Sequence, residues 1–397
     1  MESDNHKENV EDLLKAISKA KAEGGDAPVE KGPLVPSLLR AEPETGDFLG
    51  DFHLLRELGR GGMGAVYEAH QESLNRRVAI KILYPGLTSS KRALSRFARE
   101  TEAVARLSHP NIIPIYAVGD HDGLHYFAMR YLVGPDLAEV IDRLREARKV
   151  GKSMVMVDLL ARTHPETTTP TDDWDPEATT MIQFRLNNYV YQAVELIAGI
   201  AEALDVAHKQ GVIHRDVKPG NLVFDQGGNL VITDFGIAKS VGDISITRTG
   251  EFLGSPGYIS PEQAMTRRLK VDHRSDVYSL GVTLYEFLTL EHPFLQDTLE
   301  ATLRAILTKD PVPPCKLNPK LPKDVETIVL KAMEKDPDQR FSSAREMALE
   351  LRRILNFEAI RISPISRFTR AWRMVQRNRI MTIVATIMVV FGTSILW

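Results

Sequence analysis

The sequence predicts an α+β molecule: a small β-rich N-terminal part, a mainly helical part after it, and a C-terminal transmembrane helix. Three patterns carry this expectation. Short apolar and β-branched runs, separated by glycines and polar turns, fill residues 52–131. Apolar residues then recur every three or four positions through 187–208, and helical patterns resume from 275 to about 356. Finally, 380–397 holds no charged residue. At ~1.5 Å rise per residue that segment is ~27 Å long, close to the ~30 Å of a bilayer's hydrocarbon core.

The composition sets bounds. The 397 residues are 43% hydrophobic and 26% charged, which excludes a wholly disordered or collagen-like chain. Fifty basic against 53 acidic residues give a formal charge of −3, so no nucleic-acid partner is expected. Cys315 is the single cysteine. It excludes an intramolecular disulfide and a thiolate-built zinc site, and it suits a reducing compartment. The N-terminus has no apolar core behind a basic start and does not read as a secretory signal.

Each element has its own justification. Residues 1–50 form a polar leader broken by Gly24, Gly25, Pro28, Pro33, Pro36 and Pro43, with room for one short amphipathic helix on Val10, Leu13, Leu14 and Ile17. Strands are expected at 53–58, 66–69 and 77–83. Leu94, Phe97, Val104 and Leu107 mark a helix over 91–107. Two more strands, 113–118 and 125–131, flank the turn Gly119-Asp120-His121-Asp122-Gly123. Helices follow at 136–148 and 187–208, the second built on Val190, Val194, Ile197, Ala201, Leu204 and Ala207. Between them, 149–185 is rich in Thr, Pro and Asp and reads as a surface insertion. No internal repeat is present. Residues 358–379 carry Arg361, Arg367, Arg370, Arg373, Arg377 and Arg379 against one acid, Glu358, and form a basic linker before the span.

Several motifs carry chemistry. Gly59-Arg60-Gly61-Gly62-Met63-Gly64-Ala65-Val66-Tyr67 lies between two expected strands. Glycines let a backbone approach phosphates closely, although glycine-rich turns are common for other reasons. The spacing excludes a Walker A loop and lacks the helix that follows a dinucleotide-binding turn. Lys81, in Val78-Ala79-Ile80-Lys81, either faces solvent from an edge or has a charged partner, for which Glu100 is a candidate. His214-Arg215-Asp216-Val217-Lys218-Pro219-Gly220-Asn221 is followed by an apolar strand and Asp234-Phe235-Gly236. Two acids and an amide near strand ends are hard oxygen donors, suited to Mg²⁺ beside phosphate.

The order and intervals of these motifs resemble the eukaryotic-like (Hanks-type) Ser/Thr protein kinases, and Gly61-Gly62-Met63-Gly64 looks most like the bacterial branch. The resemblance covers about 51–357. It implies a two-lobed protein-kinase fold, with an N-lobe at about 51–131, a C-lobe at about 133–357 and ATP in the cleft between them. It further implies that Leu58, Gly59, Arg60, Gly61, Gly62, Met63, Gly64, Ala65, Val66 and Ala79 line the nucleotide site, with Gly59, Gly61 and Gly64 over the phosphates. Lys81 would hold the α- and β-phosphates, oriented by Glu100. Asp216 would act on the substrate hydroxyl, Lys218 would steady the γ-phosphate as in Ser/Thr kinases, and Asn221 and Asp234 would ligate Mg²⁺. Phe127-Ala128-Met129-Arg130-Tyr131-Leu132 resembles the linker between lobes, with Met129 as gatekeeper and the backbone of Arg130 and Leu132 reading adenine.

The rest of the family pattern implies a protein substrate. Ser260-Pro261-Glu262 resembles the Ala-Pro-Glu motif, with Arg340 as the partner of Glu262. Asp276 resembles the helix aspartate that braces the catalytic loop, and Gly254-Ser255-Pro256-Gly257-Tyr258 resembles the substrate-docking segment. Arg130, Ser255 and Ser260 replace the usual Glu, Thr and Ala; none removes a catalytic group. In the activation loop, Thr247 or Thr249 is expected to be autophosphorylated, for which a homodimer would serve, with Arg215 receiving the phosphate and Ser255 nearby. The six arginines before the span fit a cytoplasmic flank. They imply a single-pass protein of the cytoplasmic membrane with its kinase domain in the cytoplasm and, with Trp397 closing the span, no exported sensor domain. Two competing classes are a kinase-like scaffold without activity and a small-molecule phosphotransferase. The first commonly lacks the equivalents of Lys81, Asp216 or Asp234, and the second lacks the docking segment.

Overall fold

The computed structural model describes residues 45–61, 64–84, 91–150, 189–235, 256–265 and 271–363, with backbone alone at 91–94 and 96–98. The N-terminal part is a six-stranded sheet: β1 (Phe48–Leu49), β2 (Phe52–Gly61), β3 (Gly64–Gln71), β4 (Arg76–Leu83), β5 (Ile115–His121) and β6 (Leu124–Arg130), in the order β1-β2-β3-β4-β6-β5 with every pair antiparallel. Helix α1 (Lys91–Ala105) lies against β5.

Side chains alternate across a strand, and here the alternation divides the sheet between two cores. On β4, Val78, Ile80 and Ile82 point into a core made by the sheet alone, with Leu54, Tyr67 and Ala128. Ala79 and Leu83 point the other way, with Phe127 and Met129 of β6, into the core that continues through the helical part. Lys81 shares their parity, so it faces the cleft. Gly64 is fixed by close packing: its φ is +153°, and an added Cβ would stand 2.0 Å from the Ile82 carbonyl oxygen across the β3–β4 ladder.

The helical part comprises α2 (Leu137–Lys149), α3 (Tyr189–Lys209), α4 (Pro261–Ala264), α5 (Arg274–Thr289), α6 (Leu299–Thr308), α7 (Pro314–Leu317), α8 (Lys323–Ala332) and α9 (Ala344–Leu355), with a small hairpin of β7 (Leu222–Phe224) and β8 (Leu230–Ile232). Asp136 caps α2 by accepting from the Glu139 N–H at 2.8 Å. Helix α3 is apolar on most faces, as a central helix must be. Helix α5 is buried from Ser275 to Thr289. Its hydroxyls pair within the helix: Thr283 Oγ1 donates to the Ser279 carbonyl at 2.9 Å and Thr289 Oγ1 to Tyr285 at 2.8 Å.

Four boundaries differ from expectation. The turn expected over 119–123 shrinks to Asp122 and Gly123, with φ of 56° and 82°. Two positive-φ residues suffice for a tight hairpin whose twist matches its strands, so Gly119, Asp120 and His121 stay in β5. The sheet begins inside the expected leader: β1 pairs with β2, and the rings of Phe48 and His53 stack at 4.6 Å. Strand β2 runs on through Gly59 and Gly61. At the far end, packing continues into the expected linker: Ile360 and Ile362 lie on the main core, and the Arg361 N–H donates to Glu350 Oε2 at 2.8 Å. Among the described residues no helix is long and apolar enough to cross a membrane. The expected span at 380–397, almost all of the 149–185 insertion and most of the leader lie outside the described residues.

Candidate active site

The segment between α3 and β7 folds back on itself. The ring of His214 is buried, and burial pushes its pKa down. Its Nδ1 accepts from the Asp216 N–H at 3.2 Å, which puts the ring proton on Nε2, 2.9 Å from the Thr233 carbonyl. One neutral imidazole thus ties the strand entering Asp234 to the loop carrying Asp216. Arg215 and Asp234 both sit in the left-handed region, with φ of 64° and 54°. Such residues cost about 1–3 kcal/mol each and gather where function fixes the backbone.

Around Asp216 the side chains converge. Asn221 Nδ2 donates to the Asp216 carbonyl at 2.7 Å and to its Oδ2 at 3.2 Å. Lys218 Nζ lies 3.2 Å from the same Oδ2. The Asn221 carbonyl accepts from the Thr233 N–H at 2.9 Å, which holds it beside Asp234. From the sheet, Lys81 crosses the cleft and pairs with Asp234, Nζ to Oδ1, at 2.5 Å.

Glu100 is the partner expected for Lys81, and the ion pair found is with Asp234. Glu100 instead lines a cavity of about 180 Å³ under α1, with Arg99, Val104, Arg215 and Phe235. That cavity sets Glu100 beside Phe235 and Arg215, next to the loop carrying Asp216.

The residues fit a nucleotide and a divalent cation. Gly59 and Gly61 have no described atom within 4 Å of an added Cβ, unlike Gly64. The open space there is compatible with close approach by a ligand. Asn221 commits its amide nitrogen to Asp216, which turns its oxygen the other way. With Asp234 it makes a hard oxygen pair of the kind Mg²⁺ takes. Val66, Ala79, Lys81 and Met129 share the sheet face toward the main core. The Arg130 N–H is used by the Pro114 carbonyl at 3.2 Å, and its guanidinium lies 3.8 Å from Asp225. Leu58 and Arg60 are exposed, and Arg60 pairs with Glu57 at 2.7 Å. Ala65 is buried in the sheet's own core, one parity step away from the cleft. Leu132 packs on the main core. Gly62, Met63, Thr247, Thr249 and Ser255 lie outside the described residues.

Residues 52–349 match the family described as protein tyrosine and serine/threonine kinase. The chain belongs to this protein kinase family. Among curated proteins, the chain is 35% identical over 321 residues to the serine/threonine-protein kinase PknB of Mycobacterium tuberculosis, covering 79% of this chain and 44% of PknB. It is 33% identical over 320 residues to the serine/threonine-protein kinase PrkC of Bacillus subtilis, covering 81% of this chain and 42% of PrkC. The chain spans about two fifths of the length of the curated relatives it matches. The crystal structure of the Mycobacterium tuberculosis PknI kinase domain shares its fold, with a TM-score of 0.53 at 25% identity over 78% of this chain and 99% of that one.

The braces of the kinase site are also present. Asp276 is fully buried and accepts from the N–H groups of His214, at 2.8 Å, and Arg215, at 2.7 Å. Burial alone would raise its pKa, but hydrogen bonds, His208 foremost, hold it below the usual carboxylate range. Arg340 and Glu262 form a buried bidentate pair with both contacts at 2.7 Å. Removing one partner of such a pair costs about 3–5 kcal/mol. Sequence reasoning missed His208, whose Nε2 donates to Asp276 at 2.8 Å, because one histidine at a helix end carries no signal. It also missed Gln263. There a signal existed: Ser260 and Gln263 have capping-box spacing, and both capping bonds form. Ser260 in place of the usual Ala is therefore the N-cap of α4.

Proposed function

We propose that the chain is a serine/threonine protein kinase that transfers the γ-phosphate of ATP to protein hydroxyls with Mg²⁺. The convergence of Lys218 and Asn221 on Asp216, with Lys81 reaching Asp234 across the cleft, is the observation that carries it. Asn221 fixes the Asp216 carboxylate, whose oxygens accept the proton of the substrate hydroxyl as it attacks. Lys218, held beside Asp216, places its positive charge at the transferred group. Lys81 holds the α- and β-phosphates once it exchanges Asp234 for the nucleotide. Asp234 and Asn221 Oδ1 would hold Mg²⁺, which would supply neutralisation of phosphate charge. The Arg130 carbonyl and the Leu132 N–H face adenine, and Gly59 and Gly61 admit the phosphates.

The same reading includes autophosphorylation at Thr247 or Thr249 within a homodimer, because these hydroxyls stand between Asp234-Phe235-Gly236 and Ser260 in the chain. It also includes a single-pass anchor at 380–397 behind the arginine-rich linker, with the kinase domain in the cytoplasm. Phosphate incorporation from ATP by the purified protein, beside Asp216→Asn, is the test. Transfer is expected to fall by about 100- to 10,000-fold, on the scale of removing a proton acceptor, with nucleotide affinity kept. Equal losses in rate and nucleotide affinity would contradict this assignment of Asp216.

A further inference from the structure

The two successive peptides that lead into Asp216 are held by three hydrogen bonds. The Arg215 N–H donates to Asp276 Oδ1 at 2.7 Å, and the Asp216 N–H donates to His214 Nδ1 at 3.2 Å. The third grip comes from a distant part of the chain. Gln263 Nε2, on α4, donates to the Arg215 carbonyl oxygen at 3.0 Å. Arg215 has a left-handed φ of 64°, so this peptide has no regular ladder to hold its orientation.

Gln263 can make that bond because its other end is also fixed. Its Oε1 accepts from the Ser260 N–H at 3.0 Å and from Ser260 Oγ at 3.1 Å, while its own N–H donates to Ser260 Oγ at 3.3 Å. The amide has both ends engaged and is 6% exposed. Its neighbour Glu262 is clamped by Arg340, and Ser260 is fully buried, so α4 cannot slide.

We infer that Gln263 is a positioning residue for Asp216: it transmits the placement of α4, which follows the segment expected to dock the substrate, to the peptide that aims the catalytic carboxylate. The inference rests on the kinase reading above. Gln263 touches no substrate atom in this scheme. It acts through the Arg215 carbonyl, so its loss misaims Asp216 without disturbing Lys81, Asp234 or the glycine-lined nucleotide site.

The capping role and the positioning role separate chemically. Glutamate at 263 preserves an oxygen for the Ser260 N–H, as the capping box allows, but as a carboxylate it has no proton to give the Arg215 carbonyl. Alanine removes both roles. The experiment compares wild type, Gln263→Glu and Gln263→Ala in the full chain by steady-state transfer to a protein substrate, with nucleotide affinity and thermal unfolding measured on the same preparations. A misplacement of order 1 Å in a catalytic group costs up to about 100-fold, so kcat of Gln263→Glu is expected to fall about 10- to 100-fold. Its KM for ATP and nucleotide affinity should stay at the wild-type values, while the carboxylate buried against the Arg215 carbonyl lowers its unfolding midpoint. Gln263→Ala should show the same kcat loss, also with a lowered midpoint. A Gln263→Glu kcat within about twofold of wild type overturns the inference, as does a parallel loss of nucleotide affinity. A wild-type protein without transfer activity refutes the kinase reading and this inference with it.

Discussion

Three glycines of one motif do different jobs. At Gly64 the fold itself forbids a side chain, because a Cβ would meet the Ile82 carbonyl and φ is +153°. Gly59 and Gly61 meet no such obstacle. Gly64→Ala is therefore expected to destabilise the protein by about 2–4 kcal/mol in urea unfolding, combining backbone strain with a clash. Gly61→Ala should stay within about 0.5 kcal/mol of wild type while weakening ATP binding. Comparable stability losses in both would remove the distinction. The motif was visible in the sequence, but its division of labour was not. The Gly64 constraint comes from a carbonyl on the neighbouring strand, and no local pattern encodes that approach.

At the scale of elements, the turn Pro256–Tyr258 rests on the loop that leaves α5. His292 packs edge-on to Tyr258 with centroids 4.9 Å apart, and its Nε2 would lie 2.5 Å from a Cβ at Gly257. Its Nδ1 accepts from the N–H groups of Phe294, at 3.1 Å, and Leu295, at 2.9 Å. Burial penalises the charged ring and pushes its pKa down to about 4; a second ring proton would also have to displace both donors. Above about pH 6.5 the ring is neutral in the folded and unfolded states alike. As pH falls from 6.5 towards 4, the unfolded chain takes up a proton that the folded one refuses, and stability declines by about 2–3 kcal/mol. His292→Asn, which keeps an acceptor but does not titrate, should flatten the stability profile across that window. An unchanged acid slope in that variant would show that other groups set it. Helix positions were legible in the sequence because α3 and α5 repeat apolar residues at helical spacing. The grip of His292 and Gln263 was not, since each depends on partners brought together only by the fold.

At the scale of the molecule, the catalytic motifs predicted the two-part architecture, while the ends of the folded core lay beyond what periodicity could mark. Residues 360–362 join the core through two isoleucines and one backbone hydrogen bond to Glu350, contacts too few to leave a pattern. Ending the chain at Arg379 is therefore expected to preserve the unfolding midpoint and kinase activity; on the anchor proposed above, it should also release the protein from membranes. Ending it at Phe357 should lower the midpoint by several degrees, because it strips Ile360 and Ile362 from the core. Fractionation with thermal unfolding checks both, and loss of activity on removing 380–397 alone would tie that segment to the fold. The partition of the sheet has a practical corollary for anyone dissecting the protein. Ala79, Leu83, Phe127 and Met129 belong to the core that runs on into the helical part. Expressed by itself, a fragment ending at Arg130 would display that apolar surface to water and clump, so the sheet is a lid that can be made only together with its vessel.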